Sequence, residues 1–253
     1  MRVHVVSDVH GRSEALARAA DGADALICLG DLLCFLDYSD PGNGIFADLF
    51  GAEAVAEYIG LRTAKRFAEA TAMNRSLFAT PGTGARLEEA IRLQYEELFA
   101  ALPEPSYLTY GNVDLPSMWG QYARPGHHVI DGGRAEIDGV TFGFVGSGLI
   151  SPYRTPNEIP PEEFAAKLAA AAPCDVLCTH IPPAVPELLY DTVARRMETG
   201  SQALLDVIRA ARPRYSVFGH VHQPLARRVR VGFTECLNVG HFRATGQPFV
   251  LEL

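Results

Sequence analysis

Two histidines, His220 and His222, stand at i and i+2 in Val217-Phe218-Gly219-His220-Val221-His222-Gln223-Pro224, directly behind an apolar run. In a continuing strand both rings would face one side. Gly219 and Pro224 instead mark a strand giving way to a turn, where such a pair serves capping and packing as readily as chemistry. Four further groups bear on the choice: Asp8-Val9-His10, Gly30-Asp31, Gly111-Asn112-Val113-Asp114 and Thr179-His180. Together the groups supply Asp8, His10, Asp31, Asn112, His180, His220 and His222, a mixture of carboxylate, imidazole and amide oxygen. That mixture suits intermediate divalent ions such as Mn²⁺, Fe²⁺, Co²⁺, Ni²⁺ or Zn²⁺, rather than a thiolate site or an all-oxygen calcium cage. Seven such residues exceed what one tetrahedral ion takes and match two, with Asp31 able to give one oxygen to each.

The elements that position these residues are short apolar runs: Val3 to Val6, Ala25 to Leu29, Tyr107 to Tyr110, Val176 to Cys178 and Tyr215 to Phe218. Brief, rich in Val, Ile, Leu and aromatics, and separated by helical patterns, they read as buried strands of βα units. In open α/β sheets the ligand site lies beyond the carboxyl ends of the strands, so all five ends are expected at one edge. Helices are expected over Ser13 to Ala20, from Pro160-Pro161-Glu162-Glu163 to about Ala172, and from Ser201 to Ala211. Residues 32 to 106 form an insertion longer than a crossover needs. Its segments Ala52 to Phe78 and Arg86 to Leu102 have helical composition with a turn at Pro81-Gly82-Thr83-Gly84, which predicts a helical hairpin beside the sheet edge. From Gly126 to Gly148, strand-like pieces alternate with the hairpin signals Asp131-Gly132-Gly133 and Asp138-Gly139. Ala226 to Val231, Glu235 to Val239 and Pro248 to Leu253 continue in that style, predicting a second sheet packed face to face on the first, with helices outside. No linker-like composition divides the chain, so residues 1 to 253 are expected to form a single domain.

Composition bounds the partners. Apolar residues at 48% and charged residues at 21% give a globular chain with a sizeable core. A formal net charge of -8 with no basic stripe excludes an extended nucleic-acid surface. It does not exclude a small anion, because bound metals invert the local field. Cys28, Cys34, Cys174, Cys178 and Cys236 are odd in number and mostly sit in apolar runs, which reads as reduced thiols in the cytoplasm. Neither a signal-peptide core nor a membrane-spanning stretch is present, so no membrane partner is expected.

In this order, Asp8-Val9-His10, Gly30-Asp31, Gly111-Asn112-Val113-Asp114, Thr179-His180 and Gly219-His220-Val221-His222 resemble the motif series of the calcineurin-like metallophosphoesterases. The resemblance implies a four-layer α-β-β-α sandwich of two mixed sheets. It implies that Asp8, His10, Asp31 and His222 hold one metal and Asp31, Asn112, His180 and His220 the other, with Asp31, Asn112 and His180 expected in catalysis. The implied reaction is hydrolysis of a phosphoester by in-line attack of a metal-bound hydroxide. Two divalent ions outweigh Asp8, Asp31 and a bridging hydroxide by about one positive charge, which would draw in a phosphate.

Many family members carry a histidine after the asparagine to protonate the leaving group, and here that residue is Val113. General acid catalysis is worth roughly 10² to 10⁴ in rate, so its loss favours a phosphodiesterase over a protein phosphatase-like monoesterase. His241 and the pair His127-His128 are candidate substitutes. Asn238-Val239-Gly240, just before His241, is similar to a late motif that closes the site in relatives. Arg12, with its bidentate fork, and Asp114 complete the candidate substrate residues, although a solvated Arg12 and a ligand-orienting Asp114 are the plainer readings. Phe35, Tyr38, Phe46 and Phe50 either line a lid selecting a phosphorylated small molecule such as a nucleotide, or pack the insertion. The alternative outside enzymology is a scaffold that kept the fold and lost the chemistry; no ligand position is missing to favour it.

Overall fold

Alternation along Arg2–Val6 divides its side chains between two apolar layers. Val3 and Val5 face one, and Val6 the other. The computed structural model describes residues 1–253. The first sheet runs in the order Phe249–Glu252, Arg2–Val6, Ala25–Cys28, Ser106–Leu108, His127–Val129, the last four parallel and Phe249–Glu252 antiparallel to its neighbour. The second runs Arg228–Val231, Thr234–Asn238, Tyr215–Phe218, Val176–Thr179, Val140–Val145, Gly133–Ile137, with four parallel central strands and antiparallel edges.

Val3, Val5 and Ile27 pack against Phe142, Phe144, Val176 and Val217 between the sheets. Outside the first sheet, Tyr95, Leu98 and Phe99 of helix Thr83–Ala101 cover Val6, Leu26 and Leu108. Outside the second, Phe164 and Leu168 of Pro161–Ala171 and Leu204 and Ile208 of Gln202–Ala211 cover Val145, Leu177 and Phe218. Each fully buried side chain of this kind contributes about 1.5–3 kcal/mol. The expected α-β-β-α sandwich of two mixed sheets is therefore present. Local signals start its helices where expected: Pro161 opens one, and Ser201 caps the other by accepting from Leu204 N at 3.0 Å.

The structure departs from expectation in four places. The first helix closes after Leu16 and continues as turns, with Arg18 and Ala19 N–H groups bonding three residues back. The insertion is not a two-helix hairpin. It contains Ile45–Phe50, Ala52–Thr63, Phe67–Phe78 and Thr83–Ala101, because Lys65 takes a left-handed φ of 59° and breaks the long helical pattern. Nor does its last helix flank the sheet edge; it lies on the first sheet's outer face, where Tyr95, Leu98 and Phe99 are buried. The late strands are shared between the sheets. His127–Val129 and Phe249–Glu252 join the first sheet, so Asp131-Gly132-Gly133 marks a crossing between sheets, whereas Asp138 and Gly139, at φ 47° and 77°, do make a tight hairpin. No helix is long and apolar enough to cross a membrane, and all five cysteines are unpaired.

Candidate metal centre

The parallel strands of both sheets end on one side. Asp8, Asp31 and Asn112 follow strands of the first sheet, and His180, His220 and His222 follow strands of the second. Sharp turns aim them inward: Asp8, His10, Asp31 and His220 have φ of 57°, 41°, 55° and 66°. Asp and His tolerate this left-handed region better than most residues, yet each instance stores strain that the surrounding fold must hold. Asp8, Asp31, Asn112 and His180 are all buried.

Hydrogen bonds fix which atoms face the centre. His180 Nδ1 donates to the Leu29 carbonyl at 2.9 Å, and His10 Nδ1 to the Leu33 carbonyl at 2.9 Å, leaving a lone pair on each neutral ring's Nε2. Asn112 Nδ2 donates to Thr155 Oγ1 at 3.1 Å, which turns Oδ1 toward His180. His180 Nε2 and Asn112 Oδ1 then lie 2.9 Å apart with acceptor facing acceptor. A proton on Nε2 or a metal ion held by both atoms relieves that arrangement. His180 Nε2 is 3.5 Å and His10 Nε2 3.8 Å from Asp31 Oδ2, while His222 Nε2 is 3.4 Å from Asp8 Oδ1, a buried oxygen with no donor.

Two groups of potential ligand atoms, each within 4.8 Å of one another, result: Asp8, Asp31 and His180, and His10, His222 and His241. These clusters form a dinuclear site for divalent metal ions. The His220 ring lies 5.2 Å from His180, and the His222 ring 5.6 Å from His10.

A family model for the calcineurin-like phosphoesterases matches residues 1–224. The chain belongs to that family. Two crystal structures share its fold. One superposes with a TM-score of 0.61 at 17% identity, over 95% of this chain and 91% of its own. The other, the protein TT1561 of Thermus thermophilus, gives 0.56 at 14% identity, over 96% and 90%. No curated protein matches the chain in sequence. Membership agrees with the geometry, since a dinuclear centre formed by Asp and His clusters is compatible with the phosphoesterase reaction.

Electrostatics in this calcineurin-like site follow burial. Burial pushes the His10 and His220 pKa values below the ordinary range, and the neighbouring His180 lowers His220 further. For His222, burial is outweighed by the adjacent Asp8 carboxylate, so its pKa rises; burial would raise Asp8, but the same closeness to His222 holds it well below the carboxylate range. Neutral imidazoles and ionised carboxylates are the forms that bind metal.

Several expectations are corrected here. Asp114 does not face substrate. It is fully buried, and its carboxylate accepts from the N–H groups of Asp31 at 2.8 Å, Leu32 at 3.0 Å and Gly111 at 2.8 Å, fixing the loop that carries Asp31. Arg12 is exposed, which fits its plainer reading, and its guanidinium lies near Gly246. His127 bonds the Leu102 carbonyl and His128 stacks on Tyr107, so neither enters the site. Phe46 and Phe50 pack on Phe78 inside the insertion and line no lid.

His241 does reach the centre. Its ring stacks on His222 at 3.7 Å and 10°, with both nitrogens buried and unpartnered. Asn238, just upstream, donates to the Gly219 and Val221 carbonyls at 3.3 and 2.9 Å and so holds the His220–His222 loop. Arg243 and Asp37 were not anticipated. Arg243 bonds the His10 carbonyl and Asp37, joining the insertion to the site; a downstream Arg and an Asp 206 positions apart carry no local sequence signal. The glycines of two motifs also acquire a reason. A side chain at Gly111 would collide with Asp31, and one at Gly219 with Ser7 and Asp8.

Proposed function

We propose that this chain is a dinuclear-metal phosphodiesterase in which Asp8, His10, Asp31 and His222 hold one ion and Asp31, Asn112, His180 and His220 the other. Manganese is among the ions that this donor set suits. The ions, when bound, supply Lewis acidity for the phosphoryl oxygens and an activated water for in-line displacement. The protein's own part is positioning. Asp31 Oδ1 accepts from Val113 N at 2.9 Å, which leaves Oδ2 toward His10 and His180. Thr155 orients Asn112, and the Leu29 and Leu33 carbonyls hold two imidazoles with Nε2 inward.

The observation that carries the diester reading is the absence of a proton donor for the leaving group. Val113 has none, and burial together with His222 pushes His241 down to about 3, keeping the one replacement imidazole neutral. A poor leaving group would go without assistance in either ester class, and the diester is favoured because branches of the family with an apolar residue at this position resemble phosphodiesterases. Because both sheets contribute ligands, the working unit of this reading is the whole of residues 1–253, and the five free thiols support a cytoplasmic setting.

The test is turnover of bis-p-nitrophenyl phosphate and p-nitrophenyl phosphate after loading with Mn²⁺, Zn²⁺, Ni²⁺ or Co²⁺. The diester is expected to be the better substrate in kcat/KM with every active metal. Preference for the monoester would overturn the reading, and hydrolysis of neither would overturn the enzyme assignment.

A further inference from the structure

Where the insertion meets the loops of the second sheet, Arg62 is surrounded by rings rather than carboxylates. Its guanidinium carbon lies 4.9 Å from the Tyr153 ring centre, 5.6 Å from Tyr58 and 6.0 Å from Tyr38. The side chain is half-buried, and no carboxylate or carbonyl engages its N–H donors. Arg196 lies against the same Tyr153 ring at 4.9 Å, with its Nε 2.6 Å from Glu198. Two guanidiniums and one carboxylate leave one positive charge unmatched on a chain of net charge -8. Ring faces attract such a cation weakly and leave its planar fork free for an anion. Tyr38 is 48% exposed, so an aromatic face is open beside that fork.

Three connections link the cluster to the metal centre. Tyr153 shares a loop with Thr155, the residue that orients Asn112, and Glu158 closes that loop by accepting from Ser151 and Thr155. Glu198, the partner of Arg196, acts electrostatically on His220. Tyr38 follows Asp37, which is tied to Arg243 beyond His241.

We propose that Arg62, Arg196, Tyr38 and Tyr153 form a subsite for a nucleotide group carrying a second phosphate, separate from the phosphate that is cleaved. This rests on the phosphodiesterase reading. The base stacks on a tyrosine, and the Arg62 fork takes the second phosphate in a bidentate grip.

The test compares two dinucleotides that differ only in a 5′-terminal phosphate, pApA and ApA, on metal-loaded wild type, Arg62→Gln and Arg62→Lys. Wild type is expected to favour pApA in KM by about tenfold, with kcat unchanged. Arg62→Gln should abolish the preference by raising the KM for pApA far more than that for ApA, and Arg62→Lys should restore part of it. In parallel, calorimetry on the same proteins compares adenosine 3′,5′-bisphosphate with adenosine 5′-monophosphate, and the same preference and loss are expected. Equal affinity of wild type for the two ligands, or equal weakening of both by Arg62→Gln, overturns the subsite. If neither dinucleotide is hydrolysed, the phosphodiesterase reading fails while calorimetry still decides the subsite.

Discussion

The two sheets bring unlike chemistry to one centre. Loops of the first sheet carry both carboxylates, Asp8 and Asp31, with His10 and Asn112; loops of the second carry imidazoles only, His180, His220, His222 and His241. Three of the four first-sheet ligands sit at left-handed φ, against one of the second-sheet set. The charge that draws cations is thus concentrated in the strained half, and neutral donors complete it from across the sandwich. Bonds between the halves keep them in register: His180 Nδ1 to the Leu29 carbonyl, His220 N to Asp8 Oδ2 at 2.9 Å, and Arg243 N to the Asp8 carbonyl at 3.0 Å. Such a centre exists only when both sheets are packed, so metal binding and folding are coupled.

The strongest way to break the comparison is to discharge the first half. Asp31→Asn removes the carboxylate that the proposed assignment gives to both ions and is expected to reduce bound metal below one ion per chain and hydrolysis by at least about 10²-fold, beyond what indirect supports usually cost. His180→Ala removes a neutral donor of the second half and should lose one ion while keeping the other. Metal content by emission spectrometry checks both. If the two variants lose metal equally, the halves are not unlike.

A second, smaller effect separates touching a metal from supporting a ligand. Asp114 bonds backbone N–H groups and the Tyr95 hydroxyl, yet Asp114→Ala leaves three buried N–H groups without an acceptor, at about 3 kcal/mol or more in total. Metal affinity should fall about 10- to 100-fold because the Asp31 loop loosens. Urea unfolding and metal titration measure the two quantities. Unchanged affinity alongside lost stability would confine Asp114 to the fold.

Much of this centre was legible in the sequence, and the reason is local. A ligand directly after an apolar strand is read from adjacent residues, as at Thr179-His180, and five such groups in order are specific. What was not legible depends on contacts between distant segments. Asp114 reads as either a ligand-orienting or a substrate residue, because nothing adjacent shows that Asp31, Leu32 and Gly111 turn their N–H groups onto it. The insertion was misread as one hairpin because helical composition does not reveal the left-handed turn at Lys65. Sheet membership of His127–Val129 and Phe249–Glu252 was lost for the same reason: alternation marks a strand and not its neighbour.

The mildest effect probes the strap across the two halves. Asp37 lies at the start of the insertion, and Arg243 follows the second-sheet strand Thr234–Asn238; Arg243 Nη2 is 2.6 Å from Asp37 Oδ2. Burial alone would raise the Asp37 pKa, but hydrogen bonds from Ser39 and Arg243 prevail and lower it to about 2. A folded pKa below the unfolded one adds stability above the unfolded value, near 4, and that stability is lost as pH falls through the folded value. The contribution at pH 7 is at most about 2 kcal/mol, since solvent screens part of it. Asp37→Asn should therefore lower the urea midpoint at pH 7 and pH 5 alike, while about half of the gap should close by pH 3. Activity should change less than stability, because Arg243 keeps its bond to the His10 carbonyl. A gap that stays constant from pH 5 to pH 3 would mean the strap acts through shape and not charge. The halves would then owe nothing to the charge of the Asp37–Arg243 pair.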